Sequence, residues 1–174
     1  MNEALTRLAT SLRLEAPENR ALALAFCLAC ARRVEHLLEE PEVLACLQVL
    51  GRHVDGLADE AELRAAAEEA AGLANRHRGS RSIDGCGHAA VSASYGVAKA
   101  VAGKAVEAAQ YCAYAAVYAS GGYAAVAERD AFEPEQAWQL ETLQALAERS
   151  GAGAMAASAV RPLGPAAGNP ARAA

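Results

Sequence analysis

Cysteine and histidine side chains have the greatest potential for chemistry in this 174-residue chain. Cys27 and Cys30 form a Cys-x-x-Cys pair, and Cys86 and His88 follow within the glycine-containing segment DGCGH. Together these four residues make a Cys3His set, which is suitable for a tetrahedral zinc ion. Zinc binding is therefore one of two interpretations of the cysteines.

The second interpretation is that Cys27 and Cys30 are buried and unreactive. In redox proteins a Cys-x-x-Cys pair lies at the amino terminus of a helix, where the helix dipole lowers the thiol pKa. Here the pair lies inside a predicted amphipathic helix, on the same apolar stripe as Val34 and Leu37. A helical pair also lacks the turn found in common zinc sites. We therefore expect no cofactor, and zinc is the alternative.

The segment around Cys86 also has two interpretations. A thiol between two glycines, with an imidazole nearby, could form a Cys-His nucleophile. Asp84 could equally cap a helix that begins near His88. The sequence contains no Ser-His-Asp order, phosphate-binding glycine loop or His-Glu-x-x-His motif. We therefore predict no catalytic residue and a protein that is not an enzyme.

Several polar and aromatic side chains are candidates for contact with a partner. Three tyrosines share one helical face, and tyrosine is well suited to protein interfaces. They could instead fill space in a core that is poor in large side chains. The candidate interaction residues are Arg32, Arg33, His36, Tyr111, Tyr114 and Tyr118.

Composition predicts the elements that must position these residues. The chain is 53% hydrophobic but only 5% aromatic, and alanine accounts for the difference. Because alanine is the best helix former and has little apolar area, we predict an all-α fold with closely packed helices. The 16 basic and 21 acidic residues give a net charge of −5, without a basic cluster. Nucleic-acid binding is therefore disfavoured.

Hydrophobic periodicity and helix signals predict a compact bundle of about six to seven helices. The central helix is rich in Ala, Gly and Tyr and is expected to bend or break near Gly96 or Gly103. Gly121 and Gly122 are expected to end it, before a further turn at 123–128. The predicted helices span 2–14, 18–40, 41–56, 59–77, 87–120 and 133–149.

The predicted organisation is one helical domain at 1–150 and a flexible tail at 151–174, which is rich in Gly, Ala and Pro. Residues 108–127 carry no charge over a length that could span a bilayer. They contain Gly and Tyr but no Leu, Ile or Phe, which disfavours insertion. Free thiols and the absence of an amino-terminal signal segment favour a cytoplasmic protein.

The chain also resembles a known family. The run FCLACARRVEHLL at 26–38, the later VDGLA at 54–58 and the Ala-rich helix with GHAA at 87–90 are similar to the Imm5-like family of bacterial immunity proteins. Helical repeat-companion proteins of planctomycetes show a comparable pattern, including the Gly168-Asn169-Pro170 ending. The resemblance implies a cytosolic helical protein that neutralises a cognate toxin, and it implies no catalytic residue.

Two functional hypotheses follow. The first is a non-enzymatic helical protein that binds and occludes or scaffolds a protein partner, such as a toxin or the product of a neighbouring gene. The alternative is a metal- or thiol-dependent small protein that uses the Cys/His set. Neither hypothesis involves nucleic acid or a membrane.

Overall fold

A computed structural model describes residues 2–77 and 87–151 of the chain. Within these two ranges the backbone forms seven α-helices and no strand, which confirms the predicted all-α bundle. The helices are α1 (Glu3–Ser11), α2 (Arg20–Arg33), α3 (Pro41–Val54), α4 (Glu60–Arg76), α5 (Gly87–Val101), α6 (Ala105–Ala127) and α7 (Glu133–Arg149). Cys86, the predicted helix cap Asp84 and the predicted tail from residue 152 onward lie outside the described residues.

Local helix signals determine where α3 and α4 begin. Pro41 occupies the first turn of α3, where its missing N–H would have no partner in the helix. Asp59 precedes α4 and accepts a hydrogen bond from the Glu62 N–H, while the Glu62 side chain accepts one from the Asp59 N–H. This reciprocal pair is a capping box.

The predicted extent of α2 was wrong at its carboxyl end. The helix ends at Arg33 instead of continuing to Glu40, and a short 3-10 turn follows at Glu35–Leu37. Glu40 is extended, with φ −102° and ψ 117°, because a residue that precedes proline is disfavoured in the helical region. The helix therefore cannot continue through Glu40 into α3.

The central helix consists of two helices, α5 and α6, so the predicted break within 87–120 is confirmed. The break lies at Gly103, one of the two predicted positions, where φ is +72°. Because the connection is short and the two helices pack extensively on each other, they form an antiparallel hairpin. Gly96 lies inside α5, where it faces Cys112 of α6.

Helix α5 is at the centre of the bundle. It contacts α2, α3, α4 and α6, and ten of its 15 residues are buried. Its buried side chains are all small, so neighbouring helices approach it closely. Larger buried side chains come from the surrounding helices and include Phe26, Leu5, Leu50, Leu63 and Leu143.

A kink near the end of α6 directs the chain toward α7. Gly122 has φ 62° and ψ −150°, a conformation that is essentially restricted to glycine. The predicted interruption at Gly121-Gly122 is therefore confirmed. None of the helices in the described ranges is long and apolar enough to cross a membrane.

Candidate binding surface

The cysteines of the described ranges are buried free thiols: Cys27, Cys30, Cys46 and Cys112. Burial raises the pKa of Cys27 to about 12 and the pKa of Cys46 to about 11. Burial likewise raises the pKa of Cys30 and of Cys112. The predicted core position of Cys27 and Cys30 is confirmed, and their environment disfavours the reactive thiolate.

The described members of the proposed zinc set do not come together. Cys27 and Cys30 are fully buried, whereas His88 is exposed. Within the described ranges no three His, Cys, Asp or Glu side chains are arranged to hold a metal ion. Cys86, the fourth member, lies outside those ranges.

Arg33 has partners within the molecule. Its Nε lies 2.6 Å from Oε2 of Glu135, which is only 7% exposed, and the two side chains connect α2 to α7. Its guanidinium carbon also lies 4.3 Å from the ring centroid of Trp138. Arg32 and His36, the other candidates near this position, are exposed.

Five rings form a continuous cluster that we call the aromatic surface: His88, Tyr114, Tyr118, Tyr123 and Phe132. His88 lies 5.4 Å from Tyr118 and 4.8 Å from Tyr123, between ring centroids. Tyr118 lies 5.8 Å from Tyr123 and 6.3 Å from Tyr114. Tyr114 meets Phe132 edge to face at 5.1 Å. The rings therefore extend from the start of α5 to the turn before α7.

Three features of the backbone bring these rings together. Tyr114 and Tyr118 are four residues apart and share one face of α6. His88 lies near them because the first turn of α5 is next to the end of the antiparallel α6. Tyr123 follows Tyr118 by five positions. This spacing would place the two side chains on different faces of a regular helix. The kink at Gly122 places Tyr123 against Tyr118 instead.

Tyr111 belongs to a different group of side chains. It stacks on Tyr95 with 5.3 Å between ring centroids. The Tyr95 hydroxyl donates a hydrogen bond of 3.1 Å to Oδ1 of Asn75, which connects this group to α4. The three candidate tyrosines are therefore divided, with Tyr111 joining helices and Tyr114 and Tyr118 in the aromatic surface.

A cavity of about 470 Å³, which we call the amide cleft, adjoins the aromatic surface. Tyr114 and Phe132 belong to both. The cleft lies between the start of α1, the outer side of α6 and the start of α7. Its lining consists of Asn2, Glu3, Leu5, Val106, Gln110, Ala113, Tyr114, Val126, Arg129, Phe132, Glu133, Gln136 and Gln139.

A second cavity of about 620 Å³ lies between α1 and the turn from α5 to α6. Most of its polar side chains have partners within the protein. The Thr6 and Thr10 hydroxyls donate to main-chain carbonyl groups of α1. Arg13 pairs with Glu18, and Lys104 lies 3.8 Å from Glu107. This cavity therefore offers few groups for a ligand.

The aromatic surface has an acidic margin. No charged residue occurs at 108–127, whereas Glu128, Asp130 and Glu133 follow immediately, with Arg129 as the single base among them. All four of these side chains are exposed. The turn next to Phe132 therefore carries a net negative charge, which attracts cationic groups.

Two functional groups on α7 were missed by sequence reasoning. Glu135 and Gln139 are buried together with Leu143 and Ala147, at intervals of four residues. This spacing is the available signal, because residues four apart share a helix face.

No family model, curated protein or solved structure matches the chain. The side chains themselves indicate what the aromatic surface can bind. Ring faces attract cations, and phenol hydroxyls and an imidazole can form hydrogen bonds at the edges.

Proposed function

We propose that this chain is a non-enzymatic protein that binds a basic protein partner through its aromatic surface. One observation carries the proposal: the distribution of the aromatic residues. The chain has five tyrosines, two phenylalanines and one tryptophan, and four of these residues form one cluster, in which Tyr123 is exposed and the other three are half-buried. Tyr123 is 61% exposed, although the core of the bundle is built largely from alanine and would gain volume from such rings.

The chemistry of the surface supports a basic partner. Tyrosine rings bind arginine and lysine through cation–π contacts of about 0.5–2 kcal/mol each, depending on burial. The acidic margin and the net charge of −5 attract a positively charged protein over a longer range. We therefore expect the partner to present arginine or lysine side chains to the rings.

The resemblance to the Imm5-like family supports a more specific form of this proposal. In that form the partner is a cognate bacterial toxin or another product of a neighbouring gene, which the chain occludes or scaffolds in the cytoplasm. Binding alone is sufficient for such a role, so the proposal requires no catalytic residue.

The test is co-purification with the products of neighbouring genes under mild conditions, followed by titration of any partner that is recovered. Tyr118→Ala and Tyr123→Ala should each weaken binding by about ten-fold or more, because tyrosines are frequent interface hot spots. Higher salt should weaken binding further, because the partner is expected to be basic.

Leu57→Ala is the matched control, since Leu57 is 74% exposed and is not part of the aromatic surface. This variant should bind as the wild type does. Equal affinity for the wild type, Tyr118→Ala and Tyr123→Ala would contradict the proposal. So would the failure to recover any partner.

A further inference from the structure

Four residues with side-chain amides line the amide cleft. Gln110 comes from α6, Gln136 and Gln139 come from α7, and Asn2 precedes α1. A side-chain amide offers an N–H donor and a C=O acceptor close together, which is the pattern of a main-chain peptide group. The cleft is therefore chemically matched to a ligand that contains amides.

Two of these amides are held in place. Gln139 is only 1% exposed, and its Nε2 donates a hydrogen bond of 2.8 Å to the Ala109 carbonyl. Asn2 Oδ1 accepts from the Leu5 N–H at 3.0 Å, and its Nδ2 donates to the Gln136 carbonyl at 3.1 Å. These two amides are already ordered in the free protein, so a ligand that binds them costs little additional side-chain entropy.

The amide of Gln139 retains bonding capacity. A primary amide has two N–H donors and two acceptor lone pairs, and the bond to Ala109 uses one donor. Buried polar groups in proteins usually have their hydrogen bonds satisfied. A ligand amide that forms hydrogen bonds with the remaining N–H and C=O groups of Gln139 is consistent with this rule.

The rest of the lining narrows the class of ligand. Leu5 and Ala113 are buried and apolar, while Glu3, Glu133 and Arg129 give charges of both signs with an acidic excess. This mixture disfavours a phosphate-bearing ligand. A volume of about 470 Å³ falls within the common range for ligand sites, about 300–1,000 Å³.

We infer that the amide cleft binds an extended segment of the partner protein through the main-chain N–H and C=O groups of that segment. Tyr114 and Phe132 form the wall shared with the aromatic surface, so they contact the side chains of the segment where it leaves the cleft. This inference rests on the proposed partner-binding function and names the part of the partner that is recognised.

The test uses a display library of random linear decapeptides, so it does not depend on identification of the natural partner. Peptides selected on the wild-type protein are synthesised and titrated against Gln110→Ala and Gln136→Ala. Each variant should weaken binding by at least about five-fold, in line with the loss of one to two hydrogen bonds. Gln144→Ala is the matched control, because Gln144 is exposed on α7 outside the cleft.

N-methylation of each peptide bond then tests main-chain recognition directly, because it removes one N–H and leaves the side chains unchanged. We expect at least one N-methylated position to weaken binding by about ten-fold or more. Peptides that bind equally to the wild type and both glutamine variants would overturn the inference. Tolerance of N-methylation at every position, or a library that yields no binder, would also overturn it.

The two proposals can fail separately. A partner whose binding depends on Tyr118 and Tyr123, together with a failed peptide test, would leave the proposed function standing and remove the cleft inference. Peptides that bind the cleft, together with a partner insensitive to Tyr118→Ala and Tyr123→Ala, would contradict the role of the aromatic surface.

Discussion

The buried thiols give the protein a distinct response to alkaline pH. The pKa of Cys27 rises from the ordinary value of 9.0 to about 12 because burial disfavours the thiolate. Below pH 9 the thiol is protonated in both the folded and the unfolded chain. Between about pH 9 and 12 the unfolded chain loses this proton while the folded chain keeps it. The free energy of unfolding therefore falls as the pH rises through this range.

We predict that Cys27→Ala lessens this alkaline loss of stability. Each pH unit between the two pKa values costs the wild type about 1.4 kcal/mol through Cys27, and the variant avoids that cost. Urea unfolding of both proteins at pH 8 and pH 10.5 measures the difference. The comparison at pH 8 gives the effect of the substitution on stability while the thiol is protonated, and this effect is subtracted. The same pH dependence in both proteins would show that the thiol ionises in the folded state.

Sequence reasoning was more successful for apolar side chains than for polar ones. The positions of Cys27 and Cys30 follow from helical periodicity, because they share a stripe with other apolar residues. Glu135 was not predicted to be buried, because its burial depends on Arg33 from a distant helix. A pairing of this kind is not visible in the pattern of either helix alone.

At the scale of elements, the α5–α6 hairpin depends on a close approach at Gly96. A Cβ atom at this position would lie 2.8 Å from the Cys112 Sγ and 3.5 Å from the Cys112 main-chain nitrogen. The first distance is shorter than van der Waals contact, so the buried Cys112 side chain or one of the two helices would have to move. The absence of a side chain at Gly96 therefore determines how closely the two helices pack.

We predict that Gly96→Ala destabilises the fold by about 1–2 kcal/mol, because overpacking exceeds the gain in helix propensity. Urea unfolding measures the change. Gly72→Ala is the control, since its Cβ would make an ordinary contact of 3.5 Å with Arg76. It should stabilise the protein by about 0.5–1 kcal/mol. Adding Cys112→Ala to Gly96→Ala should recover part of the lost stability. A Gly96→Ala protein as stable as the wild type would refute the close approach of the two helices.

Helix starts were easier to predict than helix ends. The capping box at Asp59 and Glu62 is a local pattern, so it can be found in the sequence. The end of α2 at Arg33 is not marked by glycine or proline, and the amphipathic pattern continues through Leu37 and Leu38. These two residues still pack against the core from outside the helix, so periodicity alone does not reveal the boundary.

At the scale of the whole molecule, the ion pair of Arg33 and Glu135 joins α2 to α7 across 102 residues of sequence. Glu135 is buried, and within the described ranges its Oε1 has no hydrogen-bond partner. Arg33 is 39% exposed, so water weakens the attraction between the two charges. Arg33 nevertheless supplies the positive charge next to the Glu135 carboxylate.

We predict that Arg33→Met destabilises the protein by about 1–3 kcal/mol, because Glu135 is left without its partner. This loss is smaller than for a fully buried ion pair, because Arg33 is partly exposed. Adding Glu135→Gln should recover part of this loss by removing the unpaired charge. Arg32→Met is the control, because Arg32 is the exposed neighbour. Thermal unfolding of the four proteins measures the effect, and equal losses for Arg33→Met and Arg32→Met would contradict the role of the pair.

The fold class of the molecule could be predicted, but its candidate site could be predicted only in part. Alanine content and periodicity are distributed along the whole chain, so they indicate an all-α bundle without knowledge of contacts. The aromatic surface depends on the conformation of one residue, Gly122, and on the return of α6 along α5. Tyr114 and Tyr118 could be found from their spacing, whereas His88, Tyr123 and Phe132 required the three-dimensional structure.

The contact between Arg33 and Trp138 also has an optical consequence. Trp138 is the only tryptophan in the chain, so fluorescence excited at the red edge of indole absorption comes from this one ring. The ring lies at the junction of α2 and α7, beneath a guanidinium group. Its emission is therefore a built-in spectroscopic reporter of whether the first and last parts of the bundle are joined.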